Sequence, residues 1–208
     1  MKFNKLHQRI SKDASISTFV RAPIVMGSSW IFQGVLYMDA TERIFKIIFE
    51  ILLLFINILI FVTFINPLHS VIIGLISAHT LNWILNGQIP VALRNAGVIS
   101  TTPLKIIEYS IYIKGKIVEN PFIIYGAIIG SLSRDEIRTG SDLDIRVVRR
   151  EGFISGIYSS IFVMKLRLEA LFYLFPLDIY LLDSKEKISN LREPPVVFLN
   201  IINNMENL

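Results

Sequence analysis

GSLSRDEIRTGSDLDIRVV (130–148) concentrates more chemistry than any other stretch of this chain. It opens on Gly130-Ser131, which closes the β-rich run FIIYGAIIGS (122–131). Ten loop residues follow, and it ends on DLDIRVV (142–148), which alternates strictly. Strict alternation predicts a strand whose residues two apart share a face. Asp142, Asp144 and Arg146 then lie on one side. Leu143, Ile145 and Val147 lie on the other, where they pack under a helix. Two carboxylates so placed stand about 7 Å apart along the strand. They repel each other unless a hard divalent cation sits between them, magnesium first and manganese second. A glycine at a strand end lets backbone N–H groups approach a phosphate, and the Ser131 hydroxyl adds a donor. Arg134 can reach the same phosphates. Ser141 beside Asp142, and Arg146 among the aspartates, are the remaining candidates for phosphate contact or charge balance.

Working outward, LKIIEYSIYIKGKI (104–117) and ISGIYSSIFVMKLRLEALFYLF (154–175) carry helical periodicity, and PLDIYLL (176–182) reads as a strand. The C-terminal half is therefore ordered α, β, β, α, β. By period two, Asp178 and Tyr180 share a face while Leu177, Ile179 and Leu181 face the core. Lys165 and Arg167 on the intervening helix read as solvent- or phosphate-facing. Beyond Asp183-Ser184, which suits a helix start, come a short helix, a Pro-Pro break and a last element of undecided type.

Gly-Ser, ten residues and DLDI resemble the signature of the polymerase β-type nucleotidyltransferase superfamily. That signature is a hydrophobic residue, Gly, Gly or Ser, about nine to thirteen residues, then Asp, hydrophobic, Asp or Glu, hydrophobic. The resemblance spans roughly residues 103–183. It implies a small mixed sheet flanked by helices, a nucleoside triphosphate substrate, two magnesium ions and a third carboxylate on a later strand. Asp178 occupies that place, with Asp183 as the alternative. Gly130 and Ser131 would hold the β- and γ-phosphates. The chain departs from the common pattern after Arg134, which is followed by Asp135 and Glu136 where the family's Arg is followed by Gly, and at Arg146, which replaces an apolar residue often found there. Thirty residues follow Asp178, too few for the extra domains of nucleic-acid-modifying relatives, so nucleic acid is disfavoured as acceptor. As a whole the chain is similar to small membrane-anchored prokaryotic members.

The membrane reading comes from the N-terminal half. The chain has 208 residues, is 52% hydrophobic and only 18% charged, with a mean hydropathy of +0.55. That balance excludes disorder. From Ile51 to Leu93 there are 43 consecutive positions without Asp, Glu, Lys or Arg. Asn66-Pro67 splits this region, with IIFEILLLFINILIFVTFI (47–65) before it and LHSVIIGLISAHTLNWIL (68–85) after it. Both suit a helical hairpin in a bilayer. The N-terminal segment carries Lys2, Lys5, Arg9, Lys12, Arg21 and Arg43 against Asp13, Asp39 and Glu42. Arg94 and Lys105 follow the second span, and the tip between the spans carries no Lys or Arg. The positive-inside rule then puts both ends in the cytoplasm. APIVMGSSWIFQGVLYM (22–38) is broken by Pro23 and small polar residues and reads as interfacial or packed on a neighbour, with a third membrane span as the less favoured alternative. His79, Asn82 and Asn86 form a polar stripe that either hydrogen-bonds a neighbouring helix or meets a lipid headgroup.

The expected organisation is α+β: a basic interfacial segment (1–43), a transmembrane hairpin (44–88) and a nucleotidyltransferase domain (89–208). The opening MKFNKLHQRISKD is too polar for a signal peptide. With no cysteine, disulfides, thiol catalysis and Cys-type zinc sites are excluded, and the three histidines lack zinc spacing. The implied partners are a nucleoside triphosphate and a small or lipid-linked acceptor. Two rivals remain. One is a DxD glycosyltransferase, which predicts a Rossmann-like βαβ unit upstream of Asp142. The other is a non-catalytic membrane scaffold with a degenerate domain.

Overall fold

The computed structural model of the chain describes residues 17–189 and 194–200. Lys2, Lys5, Arg9, Lys12 and Asp13 lie outside them. The described residues form an α+β structure of seven α-helices and one four-stranded mixed sheet. In chain order the elements are α1 (Thr18–Phe32), a 3-10 turn (Val35–Tyr37), α2 (Ala40–Phe61), α3 (Pro67–Leu85), α4 (Gln88–Asn95), α5 (Pro103–Val118), β1 (Ile123–Ile129), β2 (Leu143–Arg149), α6 (Phe153–Phe172), β3 (Leu177–Leu182), α7 (Glu186–Ser189) and β4 (Val196–Asn200).

Helices α2 and α3 form the hairpin. Both are long and apolar enough to cross a membrane, spanning about 33 and 28 Å at 1.5 Å per residue. Asn66 starts α3 by accepting the His69 N–H at 3.1 Å, and Pro67 takes the first helical position. The hairpin covers 40–85 rather than 44–88. Helix α2 begins early because its first turn belongs to the sheet. Its Glu42 Oε2 accepts the Leu181 N–H at 2.8 Å, and Asp39 Oδ2 accepts the Asp183 N–H at 2.8 Å. These carboxylates cover the open edge of β3 where another strand would otherwise pair.

Helix α1 packs on the hairpin. Trp30 Nε1 donates to Thr80 Oγ1 at 3.1 Å, Trp83 Nε1 to Ser29 Oγ at 3.1 Å and Gln33 Nε2 to the His79 carbonyl at 2.8 Å. At roughly 22 Å it is shorter than the hydrocarbon core. The polar stripe hydrogen-bonds neighbouring helices. His79 reaches Glu50 at 2.6 Å and the Trp30 carbonyl at 2.9 Å; Asn82 donates to Glu50 at 2.8 Å and Asn86 to Asn82 Oδ1 at 2.7 Å.

Helix α4 follows the hairpin directly, in a stretch with no helical signal of its own. It is only eight residues long and contains Pro90, but proline is tolerated in a first turn, where its missing N–H has no helical acceptor anyway. The final undecided element is strand β4, which pairs antiparallel with β1 and gives the order β3-β2-β1-β4. Helices α5 and α6 cover one face of the sheet. Ile106, Ile113, Val163 and Leu166 pack there on Leu143, Ile145, Val147 and Ile179.

Candidate functional site

Strands β2 and β3 run parallel, with Asp144 directly opposite Asp178. Residues opposite each other in neighbouring strands, about 4.8 Å apart, show their side chains on the same face. Asp142 precedes β2 by one residue, two before Asp144, on that same side. On the other flank of β2, Ile129 pairs with Asp144, so the chain turns at Gly130 over the Asp144 carboxylate. Three carboxylates thus meet at one end of the sheet. Asp183 stands elsewhere. It accepts the Thr41 N–H at 3.2 Å and pairs with Arg149 at 2.8 Å, tying α2 to the sheet. Burial opposes its charge, but these hydrogen bonds together outweigh burial and hold its pKa below the usual carboxylate value.

Gly130 is constrained twice. Its φ of +80° lies in the left-handed region, and a Cβ there would collide with the Asp144 carboxylate. Gly130→Ala should therefore lose more than about 1 kcal/mol of stability and displace Asp144; an unchanged denaturation midpoint would contradict this. The next residue is equally telling. The Ser131 hydroxyl is buried and has no hydrogen-bond partner. A buried donor without a partner costs about 1–3 kcal/mol, so it asks for an acceptor.

Two cations temper the carboxylates. Arg94 of α4 places Nη1 3.0 Å from Asp142 Oδ2, and Arg146 places Nη2 3.6 Å from Asp178 Oδ2. Arg146 is fixed by the Asp178 carbonyl at 2.9 Å and lies over the Tyr180 ring at 4.7 Å. The charge remains unbalanced. Burial raises the pKa of Asp144 well above the usual value, and the charges of Asp178 and Asp142 raise it further. Burial also raises that of Asp142; Arg94 opposes this and Asp178 adds to it. Among the described residues, no three His, Cys, Asp or Glu side chains form a closed ligand group.

The other sequence candidates divide. Ser141 Oγ accepts the Arg138 N–H at 3.1 Å, which shapes the loop. Arg134 pairs with Glu136 at 2.9 Å. Lys165 is exposed, but Arg167 is not a solvent- or phosphate-facing residue. It is buried, donates to the Ile179 carbonyl at 3.0 Å and pairs with Glu42 at 2.5 Å. Arg94 is the site residue that sequence periodicity misses. It is the first charge after the 43-residue uncharged run, but only folding carries it 48 positions along to Asp142.

No protein-family model matches the chain, and no curated protein is significantly similar to it.

The residues present fit hard cations and phosphate together. Asp142, Asp144 and Asp178 offer oxygen ligands whose mutual repulsion a divalent ion would relieve. Gly130, without a Cβ, lets the backbone pass close over the Asp144 carboxylate, and Ser131 offers an unmatched donor.

Proposed function

We propose that this protein is a membrane-anchored, metal-dependent nucleotidyltransferase of the polymerase β type, moving a nucleoside monophosphate from a nucleoside triphosphate to an acceptor hydroxyl. The observation that carries this reading is Asp144 set beside Asp178 under Gly130, with the unpartnered Ser131 hydroxyl next in the chain.

Asp142 and Asp144 would hold the magnesium ion that carries the triphosphate, and together with Asp178 they would hold a second near the acceptor. Magnesium supplies charge neutralisation of the phosphates and an acceptor hydroxyl that ionises more readily. Ser131 and the backbone at Gly130 hold the β- and γ-phosphates. Asp178 takes the proton of the acceptor hydroxyl. The hydroxyl oxygen bonds to the α-phosphorus as the bond to the β-phosphate oxygen breaks, and pyrophosphate leaves. Both termini and the carboxylates lie on the cytoplasmic side of a two-span hairpin. A lipid-linked acceptor fits because α4, which follows the second span directly, supplies Arg94 to the site. The test is pyrophosphate release by the purified protein with magnesium, each nucleoside triphosphate and a native membrane lipid extract. Release that depends on magnesium and on the extract supports the proposal; none with any nucleotide counts against it.

One observation favours the scaffold reading. Arg94 and Arg146 already occupy two of the three carboxylates, as they would in a domain that never binds metal. The proposal instead expects Arg94→Ala to tighten magnesium binding several-fold by freeing Asp142. Calorimetric titration decides, and a variant that binds no magnesium favours the scaffold. The glycosyltransferase rival has less support: β2 is preceded by an antiparallel partner and by helices, not by a βαβ unit.

A further inference from the structure

We propose that the outer face of the first half of α6, formed by Phe153, Ile154, Ile157 and Ile161, is a membrane-contact surface that rests in the headgroup region beside the hairpin. Phe153 and Ile154 are 82% and 65% exposed, and Ile157 and Ile161 are exposed as well. The opposite face of the helix is buried through Ser155, Ser159, Ser160 and Val163. The four positions follow helical spacing and make one stripe, which Lys165 extends by one turn with an exposed positive charge.

The occupant follows from where α6 sits. At one end Gly156 packs so closely on α2 that a Cβ would approach Thr41 Cγ2 to 2.9 Å. At the other end Arg167 lies against Gly87, two residues past the end of α3. Thr41 and Gly87 mark the same end of the antiparallel hairpin. The segment between the two contacts is about 16 Å long, so it runs from one hairpin helix to the other across the base of the hairpin. Beyond Thr41, the same face of α2 continues with Ile44, Ile48 and Leu52, all more than half exposed. Phe153, Ile154 and Ile157 all lie within one turn of Gly156. The α6 stripe therefore begins where the exposed apolar face of α2 begins and continues it sideways. An apolar stripe with aromatic and lysine flanks at that depth matches a lipid headgroup boundary. The surface would fix the tilt of the sheet, and so the approach of a lipid-borne acceptor to Asp144 and Asp178.

This inference rests on the hairpin spanning a bilayer, and the experiment separates the two. The chain has no cysteine, so single-cysteine variants need no background removal. Phe153→Cys and Ile161→Cys test the stripe, Leu52→Cys the span and Glu119→Cys a solvent position. Each full-length variant is labelled with an environment-sensitive fluorophore in liposomes of phosphatidylcholine and phosphatidylglycerol. Quenching is compared between iodide, headgroup-nitroxide lipid and mid-chain nitroxide lipid. The expected result is several-fold stronger quenching of the 153 and 161 probes by headgroup nitroxide than by iodide, with the 52 probe reached by mid-chain nitroxide and the 119 probe by iodide. If the 153 and 161 probes behave like 119 while 52 is reached by lipid, this inference fails and the hairpin stands. If 52 also answers only to iodide, both fail. Shielding of 153 and 161 from iodide and lipid alike points to a second copy or another protein on this face, and overturns the inference.

Discussion

Asp144→Asn yields a protein that releases no measurable pyrophosphate yet melts at a higher temperature than the wild type in metal-free buffer at neutral pH. Both halves come from one carboxylate. Burial, with the charges of Asp178 and Asp142 beside it, raises the Asp144 pKa well above its ordinary value. The folded protein therefore keeps a proton that the unfolded chain has lost. The stability this contributes is fully present below the unfolded carboxylate value of about 3.9 and is lost as pH rises through the folded value. Magnesium reverses the loss, because it binds the ionised carboxylates of the folded state. Thermal melts at pH 5 and pH 8 should show a metal-free wild type that weakens at the higher pH and recovers with magnesium. The Asn variant should show both responses strongly reduced. Its activity should fall by about 10³-fold or more, since losing several kcal/mol of charge stabilisation costs tenfold per 1.36 kcal/mol. Unchanged turnover, or a melt that still responds to magnesium as the wild type does, contradicts the assignment.

The second large effect lies at the joint between the hairpin and the sheet. Glu42 and Arg167 are only 4% and 3% exposed, and their oxygen and nitrogen stand 2.5 Å apart. Glu42→Ala leaves the guanidinium buried without its counter-ion and removes the acceptor for the Leu181 N–H. Breaking one partner of such a pair costs about 3–5 kcal/mol. Replacing both with apolar groups of similar size, as in Glu42→Leu with Arg167→Met, should recover the part of that loss owed to the unpaired charge. Denaturant midpoints in detergent separate the three proteins. A single variant as stable as the wild type would show that α2 is not locked to β3 by this pair. Asp39 offers a comparison. Its partner Lys187 is half exposed, so losing that ion pair alone costs little.

The second half of the fold is legible because its periods are clean. DLDIRVV and PLDIYLL alternate, and the structure runs them as β2 and β3 in parallel. The register that sets Asp144 against Asp178 also decides where Asp183 goes, and that is not legible from spacing. It depends on Asp39 and Thr41, more than 140 positions away, meeting the end of β3. Arg167 was misread for a related reason. A charged residue on an amphipathic helix is normally solvated, and its burial here depends on Glu42 arriving from the membrane helix. Helix α4 is short and contains proline, so nothing local marks it, although it brings Arg94 to the site. The hairpin is legible from composition, but the early start of α2 is not, since Thr41 and Glu42 look like ordinary polar flank.

The most direct measurement follows the phosphate. The protein in lipid extract is incubated with magnesium and nucleoside triphosphate carrying ³²P at the α position, and separately at the γ position. Transfer of the α label to an extractable acceptor, with the γ label recovered as pyrophosphate and neither seen with Asp144→Asn, is the result expected of a nucleotidyltransferase. Transfer of the γ label instead, or magnesium-dependent nucleotide binding that leaves both labels on the triphosphate, would contradict it.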